Sequence, residues 1–105
     1  MIKVYLNKKR IVIKGHANYD DYGKDIVCAS ASAIVITSVN SCLKISKDSL
    51  YVEEKPNLVT IEILVDDKNV LLIIENMISM LQELAVTYKN NIKIIKEDEL
   101  WISWS

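Results

Sequence analysis

The chain's one histidine stands twelve residues before one of its two cysteines. The intervening run is Gly15-His16-Ala17-Asn18-Tyr19-Asp20-Asp21-Tyr22-Gly23-Lys24-Asp25-Ile26-Val27-Cys28, followed by Ala29-Ser30-Ala31-Ser32. A thiol at the start of a helix meets the positive end of the helix dipole, which favours the thiolate. An imidazole nearby favours it further and can shuttle the proton, so the pair suits nucleophilic catalysis. Nowhere else does this short sequence place two reactive groups in such a setting.

The elements that must hold the pair follow from hydrophobic pattern. Ile2 to Leu6 predicts a strand, Asn7 to Lys9 a turn, and Arg10-Ile11-Val12-Ile13-Lys14 a second strand, so the chain opens as a hairpin. Gly15 ends that strand, and residues 15 to 24 read as a polar loop. Asp25 is suited to N-cap a helix running to about Ile45. This would make Cys28 the third residue inside that helix, where backbone N–H groups lack helical partners. Leu50 to Glu54 and Leu58 to Val65 predict two strands around a Lys55-Pro56-Asn57 turn. In the second of these Val59, Ile61, Ile63 and Val65 alternate with Thr60 and Glu62. Asp66-Asp67 should cap a second helix over about residues 68 to 88, with an apolar stripe at 70, 74, 77, 81, 84 and 88. On it, Met77 and Met80 read as filler in a core or an interface. Ile92 to Lys96 predicts a last strand, and the acidic tail then ends with Trp101 and Trp104, which would fold back or bury in a partner subunit. The expected class is α+β: a mixed β-sheet in the order ββαββαβ with two helices packed on one face.

Composition narrows the function classes. A chain of 105 residues is expected to form a single domain, 1–105. Half its residues are apolar and only two are Gly, which suits a packed core rather than a disordered chain. The formal net charge of −1, with cationic residues scattered, disfavours direct nucleic-acid binding. Cys28 and Cys42 lie fourteen residues apart, roughly 21 Å along one helix, beyond disulfide reach. Unbridged thiols point to a reducing compartment, taken as the cytoplasm. A lone histidine and two distant cysteines do not suit a structural zinc site, so no metal and no cofactor is expected. The opening residues are too charged for a signal peptide. The uncharged run from Ile26 to Leu43 reads as a buried helix rather than a membrane span, because it carries Ser30, Ser32, Thr37, Ser38, Asn40 and Ser41.

Gly15-His16-Ala17, Tyr19, Gly23, Asp25-Ile26-Val27-Cys28-Ala29 and Ser32, taken together, resemble the ribosomal-processing cysteine protease family, often called Prp. There a GHA motif and a D-x-V-C-A-x-x-S motif face each other at close to this spacing. The resemblance spans the whole chain and implies an α+β fold, a typical homodimer and a small cytoplasmic peptidase. Such peptidases remove a short N-terminal extension from a large-subunit ribosomal protein (the L-twenty-seven family). Cys28 matches the nucleophile and His16 the base; Asp25 and Ser32 match supporting positions. Departures are Ser30, where an Ala is usual, Ala31, where a bulkier residue is usual, and Asp20-Asp21 after Tyr19.

The residues carry plainer readings beside these. Asp25 either caps the helix or orients His16. The Ser32 hydroxyl, one turn beyond Cys28, bonds Cys28 or a substrate carbonyl, or else returns to a helix carbonyl. Tyr19, Tyr22 and Gly23 belong to a loop that can close over an extended peptide, with Gly15 and Gly23 as hinges. Cys42 reads as a small buried hydrophobe. Two other function classes stay open at this point: a dimeric interaction module that binds a ribosome-assembly partner without cleaving it, and a thiol redox sensor built on Cys28.

Overall fold

The structure, a computed structural model, describes the backbone of residues 1–15 and 22–97 and the side chains of 1–15 and 26–97. The elements run β1 (Ile2–Asn7), β2 (Arg10–Lys14), α1 (Tyr22–Ile45), β3 (Leu50–Lys55), β4 (Leu58–Ile63), α2 (Lys68–Thr87) and β5 (Ile92–Lys96), which is the expected ββαββαβ order. Trp101 and Trp104 lie outside the described residues, as do His16 and Tyr19.

The strands form one mixed sheet in the order β3-β4-β2-β1-β5. The β1/β2, β2/β4 and β3/β4 pairs are antiparallel, and β1/β5 is parallel. Both hairpins turn through a residue with positive φ, Lys9 at 56° and Asn57 at 63°. In the second, Pro56 presets φ at the first central position, and asparagine tolerates the left-handed second. Strand β4 ends at Ile63, two residues short of the expected Val65. The amides of Ile63 and Leu64 make the last bonds available, to the carbonyls of Lys9 and Ser49, and beyond them both neighbouring strands run out.

Side-chain alternation gives the sheet two unlike faces. Ile2, Val4, Leu6, Ile11, Ile61, Ile63, Leu50 and Ile92 are buried on one face. Both helices pack there, presenting Val27, Ala31, Val35, Val39 and Cys42 from α1 and Val70, Ile74, Met77, Ile78 and Leu81 from α2. The other face is polar. On it Arg10 pairs with Glu62 at 2.9 Å, and the Lys14 ammonium sits 5.6 Å from the Tyr5 ring centre. The Tyr51 hydroxyl donates to Glu53, whose hydrogen bond and charge hold the phenol above its ordinary pKa.

Helix α2 starts as its sequence requires. The Asp67 carboxylate accepts from the amides of Asn69 and Val70 at 2.8 and 3.1 Å. Such a cap contributes about 1 kcal/mol. Met77 is core, but Met80 is exposed, where its sulfur meets the Asn76 amide. Helix α1 is long and apolar enough to cross a membrane, as is α2. Here α1 instead lies against α2 and the sheet, and Ser38 and Ser41 return their hydroxyls to the carbonyls of Ile34 and Thr37.

Candidate active site

Strand β2 leads into the first chemical motif and helix α1 carries the second, and three features of the described residues bear on the site. The first is Gly15, directly after β2. Its amide donates to the Asn57 carbonyl at 2.9 Å, which ties the end of β2 to the β3–β4 turn. Its φ of +86° lies in the region that side chains avoid, and a Cβ there would stand 2.5 Å from the Met1 carbonyl oxygen. The glycine is therefore required by both conformation and space. We expect Gly15→Ala to lose roughly 1–3 kcal/mol of stability, since the strained φ and the contact add. Thermal melts check this.

The second feature is α1 itself, which starts at Tyr22, three residues before Asp25. Asp25 is therefore the fourth helical residue and not the N-cap, and Tyr22 and Gly23 belong to the first helical turn rather than to a loop. The extra turn adds i→i−4 backbone bonds, and aspartate is favoured both at the cap and in the first turn, so composition does not separate the two starts. Cys28 becomes the seventh helical residue. Its amide falls within the helical ladder, facing the Lys24 carbonyl, and is not one of the unpartnered donors of the first turn. Direct help from the helix dipole also fades beyond that turn. The dipole support for a thiolate and the unpartnered backbone N–H groups expected from the helix start are accordingly withdrawn from Cys28.

The third feature is a cleft of about 330 Å³ between α1 and the β2–β4–β3 side of the sheet. Cys28, half-buried, and Gly15 both line it. Ser32 lines it one turn below Cys28, and among the described residues its hydroxyl makes no bond to a helix carbonyl. The return bond expected as the plain reading of Ser32 is thus made by Ser38 and Ser41 and not by Ser32. Ile13, Val35, Val52, Leu58 and Val59 make most of the remaining wall apolar, while Asn40, Glu54 and Asn57 add polar groups. Sequence reading stopped at Ser32 and missed Ile36 and Asn40, although Cys28, Ser32, Ile36 and Asn40 recur every four residues, the spacing of one helix stripe. The residues from β3 gave no signal, since only tertiary packing brings that strand beside Cys28.

The two cysteines differ as their positions imply. Cys42 is 0% exposed, with its Sγ 3.8 Å from the Val70 carbonyl, and burial pushes its thiol above the ordinary value of 9.0. Cys28 reaches the cleft. Iodoacetamide at neutral pH should therefore modify Cys28 at least a hundredfold faster than Cys42 in the folded protein, and peptide mapping after a timed quench reads the ratio. Equal rates would place Cys28 away from solvent.

A two-layer α+β fold with a cysteine lining an apolar cleft suits a small cysteine peptidase. The chain matches the model of the cysteine protease Prp family over residues 1–93. It is 32% identical over 87 residues to the ribosomal processing cysteine protease Prp of Staphylococcus aureus, covering 80% of this chain and 82% of that one. Its identity to the Bacillus subtilis protein of the same name is 32% over 90 residues, covering 76% and 78%. A crystal structure of the S. aureus protease with a covalently linked product peptide superposes with a TM-score of 0.78 at 25% identity, covering 91% of this chain and 97% of that one. A second, with a substrate peptide, shares the fold with a TM-score of 0.80 at 24% identity over the same shares. This chain belongs to the Prp family of ribosomal processing cysteine proteases.

Proposed function

We propose that the protein removes a short N-terminal extension from a large-subunit ribosomal protein of the L-twenty-seven family, with Cys28 as nucleophile and His16 as general base. The observation that carries this reading is the shared cleft. Cys28 and Gly15, the residue bonded to His16, line one cavity although they come from different elements. The relatives' name supports the ribosomal substrate, and the S. aureus relative's covalently linked product peptide supports a covalent route.

In this mechanism His16 takes the Cys28 proton, and the sulfur attacks the scissile carbonyl. The carbon–nitrogen bond breaks as the imidazolium protonates the departing amine. Water, deprotonated by the same imidazole, then attacks the thioester, releasing the extension as a carboxylate and restoring the thiol. The Ser32 hydroxyl, unused within its helix, is placed to donate to a substrate carbonyl. Asp25 serves in this reading to orient His16. Tyr19 contributes to substrate binding from the segment between Gly15 and α1.

The same reading places the protein in the cytoplasm with its ribosomal substrate, as a homodimer whose exposed Leu72 and Met80 supply apolar contact surface from the helix layer. Light scattering in solution tests the dimer. Intact mass spectrometry of the extended ribosomal protein mixed with this protein tests the function. A single N-terminal truncation is expected; an uncut substrate in the presence of folded protein rejects the assignment.

A further inference from the structure

Among the described residues, strand β3 is an edge strand, hydrogen-bonded only to β4. The Leu64 amide donates to the Ser49 carbonyl at 2.9 Å, which fixes the phase of the ladder. With Tyr51 opposite Glu62, Glu53 opposite Thr60 and Lys55 opposite Leu58, these three β3 residues turn their backbone groups to β4. The amides and carbonyls of Leu50, Val52 and Glu54 therefore point off the sheet. Among the described residues nothing bonds those of Val52 or Glu54. The same two residues line the cleft that contains Cys28.

Across the cleft runs the α1 stripe of Cys28, Ser32, Ile36 and Asn40. It spans roughly 18 Å at 1.5 Å per residue, the length of about five residues of extended chain. Ile36, midway along it, is 55% exposed. The cleft thus has an apolar floor, an apolar side chain on its rim, and a row of unsatisfied backbone groups along the opposite margin. A ligand that fits all three is an extended peptide. Its main chain would meet the strand edge, and its alternate side chains would enter the cavity.

We infer that the substrate peptide binds as a sixth strand along β3, pairing with the outward backbone groups of Val52 and Glu54 and so drawing its scissile carbonyl toward Cys28. The inference rests on the peptidase reading of the same site. Edge strands usually carry devices that repel other strands. Here the charges of Glu53 and Lys55 pair with each other at 3.5 Å, with Lys55 also lining the cleft.

The test uses a synthetic peptide that spans the extension and the site cut by the wild-type protein. It is bound to ¹⁵N-labelled Cys28→Ala protein, and amide hydrogen exchange is read by NMR. Exchange at Val52 and Glu54 should slow at least tenfold on binding, while Tyr51 and Glu53, already bonded to β4, change little. Independently, Glu54→Pro removes one outward donor without breaking a β3–β4 bond, which edge strands tolerate. It should raise KM about tenfold at nearly constant kcat and melting temperature. Saturating peptide that leaves Val52 and Glu54 exchanging as before would overturn the inference while the peptidase reading stands. Concentration-dependent protection of these amides without peptide would overturn it in favour of a second copy on the edge. Wild-type protein that cuts no such peptide would reject the proposed substrate, and the added strand with it.

Discussion

Cys28→Ala abolishes turnover: kcat/KM for the extended ribosomal substrate should fall by at least 10⁴-fold, roughly 5 kcal/mol of transition-state stabilisation. The size follows from the covalent route. Without sulfur no thioester forms, and the remaining donors of the cleft only position a peptide that water attacks unaided. The substitution is structurally mild, because Cys28 is half-buried at the edge of the core and alanine is the best helix former. Melting temperature should therefore stay within a few degrees and peptide affinity within a fewfold. Discontinuous assays by mass spectrometry, with far-UV circular dichroism on the same sample, separate the outcomes. Activity within tenfold of wild type would remove Cys28 from the chemistry. Cys42→Ala is the control: it opens a small void in the core and lowers melting temperature, while kcat/KM at 25 °C stays near that of wild type.

Much of this architecture is visible in sequence because it obeys local rules. The stripe Val70, Ile74, Met77, Leu81 repeats at helical spacing, and Asp67 caps it as its position suggests. In β4, Val59, Ile61 and Ile63 alternate with Thr60 and Glu62 and take the core face. The turns at Lys9 and Asn57 fall where short polar stretches interrupt apolar runs. Helix α1 starts four residues earlier than the cap pattern predicts, for a local reason too: an aspartate suits both a cap and a first turn. That difference matters because it carries Cys28 from the helix end into the second turn and removes the expected backbone donors from the mechanism. What local rules could not reach is the far wall of the cleft. Val52 and Glu54 sit in a strand whose pattern reports only which face is buried. Their place beside Cys28 depends on how α1 packs across the sheet against β3. The Cys28 and His16 motifs were found by residue type and spacing; His16, Tyr19 and the Trp101/Trp104 tail fall outside the described residues.

Ile74→Ala should be the most destabilising of the simple truncations in α2, costing about 2–5 kcal/mol. Ile74 is 0% exposed in the middle of the helix, within the cluster where Leu6, Ile92 and Met77 close the core. Removing three methyl or methylene carbons there loses their transfer free energy and leaves a void. The surroundings cannot readily collapse to fill it, because the interior is close-packed and α2 is held against both α1 and β5. For a chain of this length the loss corresponds to a fall in melting temperature of roughly 10–25 °C. Val86→Ala on the same helix is the matched control: Val86 is 81% exposed, and the change should stay within about 0.5 kcal/mol of wild type. The pair also tests the link from core to catalysis. Helix α2 contributes Leu81 to the cleft lining but no reactive group. Ile74→Ala assayed well below its own melting temperature should therefore keep kcat within a few-fold while its melting temperature drops. If kcat instead collapsed in protein that is still folded, the α2 core would be setting the geometry at Cys28, and the cleft would be far less self-supporting than the packing of α1 on the sheet implies.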